Sequence, residues 1–376
     1  MASRSTRVPA LRCLVVVLLA ATEAEAASRH PRLVPAVFVL GDSTVDVGNN
    51  NHLNISAAGR ANYPHYGVDF PGSAVPTGRF SNGLNTADLL ALGLGFTRSP
   101  PAYLSLTTDK AIRSHMYRGG INFASGGSGL SDGTGRSLFG EVIPMSQQLE
   151  YLSGVVKYMT KLSGAKKTRS LLSKSIFVIS VGSNDMFEYS AARGDDYAFL
   201  TGLVTTYKRY ITALYEMGAR KLSVISIPPL GCLPSQRLRR LQQLGTQGCF
   251  DPLNDLSLRS YPMLAAMLDD LAHELPGMAY SLADAYAMVS FVFQNPRTQA
   301  WSFTELEAAC CGGGPFGAAY PCNETAPLCG DRDGHLFWDA NHPTQAVSLI
   351  AAQTIFAGNR TFVNPINVRD LALLVL

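Results

Sequence analysis

The stretch Val37–Asn51, VFVLGDSTVDVGNNN, decides how the rest of the chain is read. A short apolar run stops at Gly41, and Asp42, Ser43 and Thr44 follow at once with a cluster of Asn behind them. A strand covered on both faces reads as such an unbroken apolar run. In an open α/β sheet, ligands bind beyond the carboxyl ends of the strands. The run therefore delivers Ser43 to the edge where such a fold places its chemistry.

Outward from that strand, short apolar runs alternate with longer helical patterns. The strand candidates are 36–40, 121–124, 175–181, 221–227 and 278–284, and the helical ones are roughly 85–93, 144–161, 196–217, 254–274 and 344–357. In 196–217, Phe199, Leu200, Leu203, Val204, Tyr207, Ile211 and Leu214 keep a 3.6-residue period. Strand–helix alternation predicts a parallel sheet between helical layers. There is no internal repeat and no low-complexity linker. The segment 59–83, rich in Gly, Pro and aromatic residues, is either a surface beside the site or a packed connection.

A serine is a poor nucleophile unless a base takes its proton, a carboxylate orients that base, and donors meet the oxyanion. The best base lies near the end of the chain in LFWDANHPTQAV, where Asp339 and His342 are three apart. On a turn that spacing lets the carboxylate reach Nδ1 and leaves Nε2 facing outward, and Pro343 and Thr344 suit the start of the last helix. Donors come from two further strand ends. Gly126 and Gly127, in INFASGGSGL, let the backbone approach a ligand closely, and Asn184, in VISVGSNDMF, offers a side-chain amide. Each of these parts alone is commonplace: a tight turn, a helix N-cap, an incidental Asp-x-x-His. Their coincidence at separate strand ends points to a serine hydrolase. Asp42 is set aside as the orienting acid, because neighbouring side chains at a strand end point apart, and Asp185 is expected to hold its own loop by hydrogen bonds. Gly129–Gly133, GLSDG, matches the G-x-S-x-G nucleophile elbow, but no helix follows Ser131 directly, so that match is read as chance.

Taken together, LGDSTVDVGNN, NFASGGSGL, VGSND and DANHP resemble the GDSL, or SGNH, serine esterases and lipases, in their plant-type branch. PTGRFSNGLNTADLLA, GARKLSVISIPPLGCLP and the CCGGG…C…C block extend the likeness over most of the mature chain. Thr44 stands where Leu is usual in that family's first motif and Leu40 where Phe is common. The resemblance implies a flavodoxin-like three-layer α/β/α sandwich with about five mostly parallel strands. It implies Ser43 as nucleophile, with its own N–H in the oxyanion hole. It implies Asn184 as side-chain donor, His342 as base and Asp339 as its acid. The backbone glycine donor aligns most naturally with Gly127, with Gly126 the alternative. It implies that no metal or organic cofactor is needed, and that the substrate is a small-molecule, lipid or polymer-bound ester. Transfer of the acyl group to an alcohol instead of water would use the same residues. A secreted binding protein that has lost activity is disfavoured, because every catalytic position is occupied.

The whole chain sets the remaining bounds. Its 376 residues are 47% hydrophobic, with a net charge of +3 and no basic block, so nucleic acid is not an expected partner. Arg4, Arg7 and Arg12, the apolar run Cys13–Ala21 and the small residues Ala24–Ala26 read as a secretory signal peptide over 1–26, leaving one hydrolase domain over 27–376. No run is long enough to span a bilayer. A secreted, extracellular or cell-wall location follows, and an oxidising compartment turns the six remaining cysteines into disulfide candidates. Cys232 and Cys249 are expected to close one loop. Cys310 and Cys311, as neighbours, are each expected to reach Cys322 or Cys329. The spacing lacks the CxxC pair of a zinc site. Asn54, Asn323 and Asn359 head N-glycosylation sequons.

Overall fold

Four short, largely apolar runs become parallel strands: β1 (Val37–Gly41), β2 (Ile176–Ser180), β3 (Lys221–Ile225) and β4 (Ala279–Ala283). Two strands, β5 (Glu305–Ala309) and β6 (His335–Phe337), form a separate small parallel sheet, and β7 (Val363–Pro365) closes the main one antiparallel to β4. The main sheet has the order β1-β2-β3-β4-β7. The structure, a computed structural model, describes residues 31–56, 59–72, 75–192 and 194–375. The expected signal peptide, with Cys13, lies outside the described residues.

The alternation of side chains along each strand builds two cores, one per face. Phe38, Leu40, Phe177 and Ile179 point to the layer of helices Met145–Ser163, Asp196–Met217 and Asp251–Glu274. Val37, Val39, Ile176 and Val178 point to helices Thr86–Gly93, Gln345–Ala357 and Val368–Leu373. The result is an α/β/α sandwich with a mostly parallel five-stranded sheet. Among the described residues no helix is long and apolar enough to cross a membrane.

The membership of the sheet differs from the sequence reading at its edges. Residues 121–124 do run beside β1: the Val39 N–H donates to Ile121 O at 3.1 Å and the Phe123 N–H to Val39 O at 2.8 Å. They form an irregular ribbon, not a strand, because Asn122 sits at its centre with its amide on Val45 O and its carbonyl accepting the N–H of Tyr103. The fifth strand is β7, three residues long and ending in Pro365, which no periodicity argument could pick out.

Candidate active site

β1 ends in a turn that only glycine permits. Gly41 has φ +146°, and a Cβ there would lie 2.1 Å from Ser180 O on β2. Gln148, fully buried on helix Met145–Ser163, locks the same peptide from the other side. Its Oε1 accepts the Gly41 N–H at 2.8 Å and its amide donates to Gly41 O at 2.8 Å. Ser43 is thereby held just past the sheet edge. The departing residue Thr44 finds a use of its own: its hydroxyl donates to Asp42 Oδ1 at 2.7 Å and meets Ser180 Oγ at 2.9 Å, tying the ends of β1 and β2.

The histidine arrives from the small sheet. After β6 the chain folds back, with the Trp338 N–H on His342 O at 2.8 Å. Asp339 Oδ1 accepts the backbone N–H groups of Asn341 and His342, each at 2.8 Å, an Asx-type turn that explains why these residue types sit at this spacing. The same carboxylate lies 2.8 and 2.9 Å from His342 Nδ1, so Nδ1–H donates to it and Nε2 is left as acceptor. Ser43 Oγ stands 2.8 Å from that Nε2. Tyr66, from the aromatic segment 59–83, donates its hydroxyl to Asp339 Oδ2 at 2.7 Å, and the Phe80 ring packs on the imidazole with centroids 4.8 Å apart. That segment is therefore a wall of the site. Burial pushes the Asp339 carboxyl up, but the imidazole charge and the hydrogen bonds from His342, Tyr66 and Asn341 outweigh it and hold the group below the usual carboxylate range.

Both glycine candidates lie at the cleft, in different states. The Gly126 N–H is spent on Asp46 Oδ2 at 3.0 Å. Gly127 makes no backbone N–H bond among the described residues and lines the cleft with Ser43. Its φ of +82°, and the Phe139 ring 2.6 Å from where a Cβ would stand, make it a glycine twice over. Asn184, near the start of helix Ser183–Ala192, donates one amide N–H to Ser128 O at 2.8 Å, which fixes the side chain beside the cleft.

Residues that the sequence reading passed over hold this half together. Asp46, completely buried, accepts from Gly48, Asn49 and Gly126. Asn49 and Asn50 send their amides to Asn122 O, Ala124 O, Gly59 O and Gly126 O. The Asn cluster after Ser43 is thus the clamp that sets the glycine loop, and its nearness to Ser43 was the one signal for it. The Asp42 carboxylate accepts the Thr44 N–H and hydroxyl, and burial pushes it up to about 6. Asp185 grips another loop instead of its own, accepting from Leu130, Ser131 and Thr134. Ser131 is exposed on that loop, with no histidine bonded to it among the described residues.

The cysteines pair as Cys232–Cys249, Cys310–Cys329 and Cys311–Cys322. The last two brace the histidine loop directly: the Cys310 N–H donates to Phe337 O at 3.0 Å and the Cys311 N–H to Trp338 O at 2.7 Å, the residues just before Asp339. Asn54, Asn323 and Asn359 are all exposed.

Comparison with known proteins meets this geometry at the same place. The family model described as GDSL-like lipase/acylhydrolase matches residues 37–355, from β1 through the last long helix. The chain belongs to that family. Membership makes it a carboxylic ester hydrolase. Among its curated relatives are three GDSL esterase/lipases of Arabidopsis thaliana. One is 34% identical, with 92% of this chain and 92% of its own length aligned. A second is 33% identical, over 90% and 91%, and a third 35%, over 88% and 91%.

Proposed function

We propose that this GDSL-family chain is a secreted serine esterase/lipase that works through an acyl-enzyme on Ser43. The observation that carries the reading is the unbroken contact line Ser43 Oγ–His342 Nε2–Asp339, with distances of 2.8 Å on either side of the imidazole. Ser43 Oγ attacks the ester carbonyl carbon while His342 Nε2 takes its proton. The negative oxygen of the tetrahedral intermediate faces the N–H groups of Ser43 and Gly127 and the Asn184 amide. The carbonyl re-forms, the C–O bond to the alcohol breaks, and His342 gives the alcohol its proton. Water then enters, loses a proton to His342 and releases the acid, restoring Ser43. Asp339 stays ionised throughout and steadies the imidazolium.

Secretion is supported by the leader pattern in 1–26, by three disulfides and by the exposed sequons, and the mature chain is read as one hydrolase domain from residue 27. Hydrolysis of p-nitrophenyl acetate by the purified mature protein tests the reading. Turnover is expected to fall on the order of a millionfold in Ser43→Ala and to persist in Ser131→Ala; the reverse pattern overturns the assignment.

A further inference from the structure

Two helices beside the site carry more apolar surface than they bury. Helix Ala285–Gln294, AYAMVSFVFQ, is apolar nearly all round, yet only Ala285 and Val292 are buried. Helix Gln345–Ala357, QAVSLIAAQTIFA, is as apolar and buries only Ser348, Ala352 and Ile355. A helix of that composition belongs inside a core. These two hardly pack on each other. Met288 and Val289 of one, and Val347, Ile350 and Ala351 of the other, line one cavity that is continuous with Ser43 and His342 and measures about 990 Å³ in all.

The cavity has two unlike arms. One runs from Ser43 over the carboxyl ends of β3 and β4, across Ile225 and Ile227. Strands ~4.8 Å apart put the end of β4 roughly 14 Å from β1. On its floor Ser226 Oγ accepts the N–H of Ala285 at 3.0 Å. Phe291, meeting Trp301 and Phe362 edge to face, stands at its far end. The other arm passes Gly127 toward Ser137, Leu138 and Glu188, where Ser137 and Leu138 are exposed. Protein interiors are close-packed, and an apolar hollow of this size needs an apolar occupant.

We propose that the arm between these two helices is the acyl-chain chamber, so that the natural substrates are esters of medium- to long-chain acids and the alcohol leaves by the open, more polar arm. The proposal rests on the catalytic reading of Ser43. An unbranched acyl chain carries no group that needs a hydrogen bond, and the two helices present mainly apolar side chains to it. Val289 and Ala351, one from each of the two helices that line the hollow, set how long a chain fits.

The test is a series of p-nitrophenyl esters from acetate to palmitate, used below their micelle concentrations. It is run beside a series of acetates whose alcohols lengthen in step. For the wild-type protein kcat/KM is expected to rise by about fourfold per acyl methylene at first and then level off, since each methylene leaves water for hydrocarbon. It is expected to change little along the alcohol series. Val289→Trp and Ala351→Trp each plug the arm and are expected to lower the decanoate-to-acetate ratio of kcat/KM by about tenfold or more. The ratio is taken within one protein, so a loss of folded fraction cancels. A flat acyl series, a rise along the alcohols instead, or an unchanged ratio in both Trp variants overturns the chamber. Acetate turnover and covalent labelling of Ser43 by a fluorophosphonate are read in parallel. If both are present while the acyl series is flat, the chamber alone falls; if both are absent, the catalytic reading falls and takes the chamber with it.

Discussion

Ser43 and His342 meet at 2.8 Å, but the two halves that present them are held by different forces. The serine half is an extension of the main sheet. Hydrogen bonds fix it, most of them between buried side chains and backbone: Gln148 on the Gly41 peptide, Asp46 on the Gly126 N–H, Asn49 and Asn50 on the glycine ribbon. The histidine half stands outside that sheet on a turn after β6. Two disulfides hold the segment behind it, and the N–H groups of Cys310 and Cys311 support the carbonyls of Phe337 and Trp338. A buried polar network is strong only when every member is satisfied, whereas a covalent brace keeps a loop in place where little core is available. The catalytic contact therefore joins a part that depends on complete hydrogen bonding to a part that depends on oxidation.

The largest effect expected from breaking one half comes from Asp339→Asn. The carboxamide no longer fixes the imidazole tautomer, and kcat is expected to drop by a factor of about 10⁴ with the fold retained. Near-normal turnover in steady-state assays would show that the turn, and not the charge, is what matters. On the serine half, Asn184→Ala removes one oxyanion donor and is expected to lower kcat by about 10²–10³ while KM changes little. A raised KM at constant kcat would assign the amide to substrate binding instead.

Removing the brace separates the two halves most clearly. Cys311→Ser with Cys322→Ser is expected to cost about 2–4 kcal/mol in urea unfolding and to slow turnover through a less ordered His342. Gentle reduction of the wild-type protein should do the same. If reduction leaves kcat untouched, the disulfides are remote from the chemistry and the comparison fails.

A pH dependence belongs to the serine half. Asp42 has its pKa raised from 3.8 to about 6 by burial. The folded state thus binds its proton more tightly than the unfolded chain, and stability declines as pH rises from about 4 to about 6, by on the order of 3 kcal/mol. Asp339, held low, acts in the opposite sense: its contribution is present above the unfolded value near 3.8 and is lost as pH falls below it. Urea midpoints at pH 4 and pH 7 should show a decline that is smaller in Asp42→Asn than in the wild type, the remainder coming from Asp46, which burial also pushes up to about 6. An equal slope in both would remove Asp42 as its source.

The chemistry was more legible in the sequence than its supports were. Ser43, Asn184, Asp339 and His342 sit at strand ends and turns whose composition announces them, and the structure brings them to one cleft. The resemblance favoured Gly127 over Gly126, but the residues themselves gave no reason for it, because the carboxylate that takes the Gly126 N–H, Asp46, lies 80 residues away in the chain. Gln148 carries no local signal for its hold on β1, since Gly41 is 107 residues distant. β7 escaped for a different reason: three residues ending in proline have neither period nor length to betray a strand. The cysteine block was visible as disulfides, yet its place behind the Asp339 turn depends on backbone bonds that no spacing encodes.

The central claim is that Ser43 is made nucleophilic by His342. Reaction of the mature protein with a fluorophosphonate, followed by peptide mapping, tests it directly. A single adduct on Ser43, lost in His342→Ala and unaffected by Ser131→Ala, is the expected result. An adduct on any other serine, or labelling of Ser43 that survives without His342, would contradict it.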